Sequence, residues 1–145
     1  MTVQRTFSGE LALTVAGLVV GAAGIAILWA SGVEFPVAIP PGLVILLAGA
    51  LFVGLAPWRW ATGVGAFLGL FVTVGFLISG GLPNLVGGDG SSFFGILNPI
   101  ERDTLGTIIG TWIQMIGVLT ALITGVMATR NNYRKPTRRR GRLGR

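Results

Sequence analysis

Apolar residues form four long runs, at positions 11–33, 35–58, 60–88 and 104–129, and no charged residue falls inside any of them. A bilayer core asks for roughly 20 consecutive apolar residues per helical crossing. The pattern predicts an all-α membrane protein: a four-transmembrane-helix antiparallel bundle over residues 1–129 and a basic tail over 130–145. Helices are expected at about 9–30, 40–56, 60–79 and 99–128, with an outer loop at 80–98. The first run is read as a permanent span, because residues 11–30 exceed the roughly 7–15 apolar positions of a cleaved leader and no small-x-small site follows.

Helix ends are marked by residue type. Ser8 suits an N-cap and Glu10 the first turn, where a carboxylate favours the helix dipole. Pro40 and Pro41 suit a first turn whose amides lack partners anyway. Ala56, Pro57, Trp58, Arg59 and Trp60 form a short connector, which makes the second and third helices a tight hairpin. Ser79, Gly80, Gly81 and Pro83 stop the third helix. Asn98 as N-cap, Pro99 at the first position and Glu101 reaching back predict the start of the fourth. The outer loop carries Phe93 and Phe94, which are expected to dip into the membrane interface or pack across helix ends.

At 100° per residue the fourth helix separates into two faces. Gly106, Gly110, Gln114, Gly117, Ala121, Thr124, Gly125 and Ala128 share one sector, and Ile108, Trp112, Met115, Ile116, Leu119, Ile123 and Val126 the opposite one. In lipid no hydrophobic force separates such faces, so small residues mark the side where another helix approaches closely. Gly17 and Gly21 on the first helix, and Gly65 and Gly69 on the third, have the same four-residue spacing and are expected at helix-packing or partner interfaces. Gln114 is read chiefly as glue, with an interhelical hydrogen bond of about 1 kcal/mol or less. The threonines 14, 73, 107, 111, 120 and 124 can return their hydroxyls to their own helices. Gly17, Gly21, Ser31 and Gly32 recur 48 residues later as Gly65, Gly69, Ser79 and Gly80, a faint sign of duplication.

Charge sets the expected orientation, because short cytoplasmic segments collect Lys and Arg. Arg5, Arg59 and the tail bases Arg130, Arg134, Lys135, Arg138, Arg139, Arg140, Arg142 and Arg145 would share one side of a four-span chain. The other two connections hold Arg102 against Glu34, Asp89, Glu101 and Asp103. Both termini are therefore expected in the cytoplasm, with the protein a multi-pass component of the cytoplasmic membrane. Trp29, Trp58, Arg59 and Trp60 are expected as interfacial anchors. The tail, with no acid and no apolar pattern, is expected to be disordered in isolation. Arg130, Arg134, Lys135, Arg138, Arg139 and Arg140 are expected to contact anionic lipid of the inner leaflet or an acidic partner. Nucleic acid is disfavoured as a partner, since no aromatics beyond Tyr133 interleave the bases.

Composition narrows the chemistry. Hydrophobic residues make up 52% of the chain and charged ones 11%, against about 25% charged in soluble proteins. Cysteine and histidine are both absent, which removes disulfides, thiol nucleophiles and the common zinc and haem ligand sets. None of the five acids lies in an apolar run, so a proton relay built on them has no intramembrane seat. No catalytic residue, metal site or cofactor is predicted. The function that fits is a non-catalytic accessory subunit or assembly factor of a larger membrane complex, alongside other integral membrane subunits. The alternative is a homo-oligomeric pore, holin-like protein or small transporter.

Overall fold

The computed structural model describes residues 9–35, 38–86, 96–97 and 104–134. Its architecture is helical: α1 (Gly9–Ala30), α2 (Pro41–Leu55), α3 (Ala61–Ile78) and α4 (Thr104–Arg134). A short 3-10 turn, Leu82–Val86, follows α3. Two-residue strands β1 (Val33–Glu34) and β2 (Ile96–Leu97) pair antiparallel, Val33 with Leu97 and Glu34 with Ile96. This small ladder was not expected from sequence. It ties the α1–α2 connection to the segment before α4.

Three of the helices, α1, α3 and α4, are long and apolar enough to cross a membrane, while α2 has 15 residues and falls short of that length. α2 and α3 begin and end within one residue of the expected limits. The start expected for α4 at Asn98, Pro99 and Glu101 lies outside the described residues, as do Phe93 and Phe94. The expected end at about residue 128 is corrected, since α4 continues to Arg134. Two side chains explain the extension: Asn131 Nδ2 donates to Glu10 Oε1 at 2.7 Å, and Asn132 Nδ2 donates to the Arg59 carbonyl at 3.2 Å. Pro136 lies two positions beyond the end, and the residue before a proline avoids helical geometry. Residues 130–134, expected to belong to a disordered tail, are therefore helical. The remainder of the tail, including Lys135, Arg138, Arg139 and Arg140, lies outside the described residues.

Helix pairing follows the glycines. α4 packs along α1 over most of its length and along α3 over its second half, whereas α2 rests mainly on α1 and meets α3 at few positions. The matched positions run in opposite directions in each pair. Along α1 and α4, Gly17 meets Ala121 and Gly24 meets Gln114; along α3 and α4, Gly63 meets Thr129 and Gly69 meets Leu122. The start of α1, the α2–α3 connector and the end of α4 consequently gather at one end of the molecule. Leu18, Leu46, Val53, Val72, Val118 and Ala121 form the centre of the core.

Candidate functional site

Among the described residues the closest backbone approach between helices is the seam between α1 and α4. A Cβ on Gly24 would overlap the backbone of Gln114, and one on Gly117 would overlap that of Gly21. On Gly17 it would lie 2.7 Å from both the Ala121 nitrogen and the Gly117 oxygen, and on Gly110 3.0 Å from the Gly24 oxygen. Close approach of this kind gains many weak dispersion contacts and brings backbone dipoles together, the main attraction open to helices in lipid. The second seam joins α3 to α4. There a Cβ on Gly69 would sit 2.5 Å from the Val118 oxygen, and one on Gly125 2.8 Å from the Ala66 nitrogen.

The small-residue sector of α4 is thus occupied within the chain, with Gly110, Gln114, Gly117, Ala121, Gly125 and Ala128 all buried. Gly106 is half-buried near the start of the helix. Gly65 faces elsewhere, with the Thr14 methyl 2.6 Å from a Cβ built on it. Val118, Thr107 and Thr111 are buried as well and were not assigned to the packing face. Gly24, one of the tightest contacts, was also missed, although it continues the face of Gly17 and Gly21 by one further turn.

Polar groups in the seams are mostly satisfied locally. Thr14 donates to the Glu10 carbonyl at 2.8 Å, Thr111 to Thr107 at 2.7 Å and Thr124 to Thr120 at 2.6 Å. Two hydroxyl pairs face each other across helices, Thr14 and Thr124 at 3.0 Å and Thr62 and Thr129 at 2.9 Å; each hydroxyl carries one hydrogen, so a bond between Thr14 and Thr124 takes the place of one of their two backbone bonds. Gln114 differs. It is 1% exposed, and among the described residues neither its amide oxygen nor its nitrogen has a hydrogen-bond partner. The interhelical hydrogen bond expected of it is absent among the described residues, where Gly24 of α1 approaches the Gln114 backbone closely.

At the end where α1 begins, Trp58 and Trp60 stack with ring centroids 5.3 Å apart and planes 4° from parallel, and Phe52 tilts against both. Each tryptophan is about half exposed, and Arg59, Arg130 and Arg134 are exposed at the same end of the molecule. Trp29 is similarly exposed at the far end of α1. Among the described residues no charged side chain is buried and no group of three or more potential metal ligands converges. The buried polar side chains among the described residues are hydroxyls and amides.

A different feature lies on the outward side of α3: an open apolar groove of about 600 Å³ lined by Phe67, Leu70, Phe71, Val74, Gly75, Ile78 and Ser79. Phe67 and Phe71 stack along one part of it at 6.2 Å, while the small residues Gly75 and Ser79 are one helical turn apart. Comparison with known protein families, curated proteins and solved structures returns no match to this chain.

Proposed function

We propose that the protein crosses the cytoplasmic membrane four times with both termini inside, and serves as a non-catalytic accessory subunit or assembly factor of a larger membrane complex. The topology is supported by charge and packing together. Arg59, Arg130 and Arg134 lie at the end where the Asn131 and Asn132 hydrogen bonds join α4 to α1 and to the connector. α2 is short, but it lies against the middle of α1 and shares its depth. Arginines at that end, continued by the tail bases, suit an anionic inner leaflet at about 1 kcal/mol each.

The observation that carries the subunit reading is the groove on α3. Small residues one turn apart, beside the stacked Phe67 and Phe71 and flanked by Val74 and Ile78, form the kind of notch that a neighbouring transmembrane helix fills, and the other described helices leave it open. Its occupant in this reading is a helix of another integral membrane subunit. Extraction in mild detergent followed by identification of co-purifying chains tests this when the native sequence is compared with Gly75→Leu. A membrane protein recovered with the native chain and lost from the variant supports the reading. A monodisperse lone monomer overturns it.

The second reading, a homo-oligomeric pore or small transporter, is favoured by one observation: the unbonded Gln114 amide, a polar group kept inside the bundle without a structural partner. It requires ion or solute flux in reconstituted vesicles, and silent vesicles sink it.

A further inference from the structure

We propose that the α2 flank is built for a hydrocarbon layer about two helical turns thinner than the α1 flank, so that the protein gathers short-chain phospholipid around α2 and thins the bilayer there. The proposal rests on the four-span reading above. At 1.5 Å per residue, the 22 residues of α1 and the 31 of α4 reach about 33 and 46 Å, and the 15 of α2 only about 22 Å. A typical hydrocarbon core is about 30 Å thick. Tilting shortens the reach of a long helix but cannot lengthen a short one, so α2 sets the limit.

Depth is given by the register between α1 and α2. Cβ atoms built on Gly42 and Gly54 would meet Ile25 at 3.0 Å and Val15 at 3.8 Å, with Leu46 beside Gly21 between them. α2 therefore lies level with residues 15–25 of α1, and α1 overhangs it at both ends. Its outward side is fully apolar, with Leu51 and Leu55 64% and 79% exposed.

Both ends of α2 are adapted to a place near the hydrocarbon edge. Pro40 and Pro41 contribute no N–H, and the amides of Leu43 and Val44 bond to the Pro40 carbonyl. At the other end the Ala56 amide bonds to Phe52, and Pro57 again lacks a donor. The Phe52, Trp58 and Trp60 cluster stands directly at that end and marks headgroup level. At the start of α2, residues 38–40 are not helical and Ile39 is exposed. Backbone of that kind cannot face lipid with its polar groups unpaired. The proposal accordingly sets the edge of the hydrocarbon near Pro40.

The test uses the full-length chain in fluid phosphatidylcholine vesicles whose monounsaturated acyl chains run from fourteen to twenty-two carbons. Relative lipid affinity is read from tryptophan quenching by brominated lipid. The expected result is an affinity about twofold higher for the shortest chains than for dioleoyl lipid, as a mismatch penalty of this kind implies. An optimum at dioleoyl lipid or longer, or equal affinity throughout, overturns the proposal. Because the chain has no cysteine, Ile39→Cys and Arg59→Cys report sidedness to an impermeant thiol reagent. Labelling from opposite faces with the wrong lipid preference removes the thinning proposal alone. Labelling from one face removes the four-span reading and this proposal with it.

Discussion

Gln114 shows how a residue's chemistry and its surroundings can disagree. A buried amide with no partner costs about 1–3 kcal/mol, and Gln114 lacks partners for both amide atoms. Gln114→Leu keeps similar volume and removes that cost, so thermal unfolding in detergent should shift upward by a comparable amount; a downward shift would mean the amide is bonded after all. The glycines make the opposite prediction. Gly24→Ala places a methyl into the Gln114 backbone, which has no flexible end to move aside, whereas at Gly54 the nearest atom is 3.8 Å from the new Cβ. Gly24→Ala should cost about 1–3 kcal/mol by overpacking, and Gly54→Ala should be close to neutral in the same measurement. Equal effects would contradict the seam geometry. The polar identity of Gln114 and its place among small residues were legible in the sequence. Its missing partner was not, because that depends on what α1 brings opposite it.

Helix ends obeyed local rules more closely than helix faces did. Ser31 donates to the Ile27 carbonyl at 2.7 Å and Ser79 to Gly75 at 2.6 Å, and each is followed by a glycine with positive φ, 89° at Gly32 and 74° at Gly80. The 48-residue echo is thus an echo of how α1 and α3 terminate. It extends only in part to packing: Gly17, Gly21 and Gly69 all lie against α4 while Gly65 lies against Thr14 of α1, and α1 follows α4 for most of its length whereas α3 meets α2 at few positions. The overhang of α4 obeyed a longer-range rule, since it depends on Glu10 and Arg59, which are 121 and 73 positions away. Asn131→Ala with Asn132→Ala should release the final turns while leaving the seams intact. Hydrogen exchange of amides near residues 130–134 should accelerate at least tenfold, with those near residue 117 unchanged; uniform exchange would refute the clamp.

For the whole molecule, one end collects Arg59, Arg130 and Arg134 and the other collects β1, β2 and the exposed Trp29. If that basic end faces the cytoplasm, an epitope tag after Arg145 should stay protected from protease in intact cells and become cleavable once they are opened. Cleavage in intact cells would reverse the orientation and remove the electrostatic role given to the arginines. Adding salt should also weaken retention of acidic lipid at this end, because exposed charges are screened within about 8–10 Å at ordinary ionic strength.

Run length and charge placement determined that the chain is helical and apolar enough for a membrane, and where α1, α2 and α3 begin and end to within a residue. Those properties follow from how one segment meets solvent or lipid. Only the tertiary structure decided that the small-residue face of α4 is covered by α1 and α3, that Gly24 and Val118 belong to the seams, and that Gln114 is left unbonded. It also decided that α4 runs to Arg134 and that a groove on α3 stays open. These depend on which helix lies against which and in what register, and in lipid that choice is made by surface fit between distant segments, which no local pattern encodes.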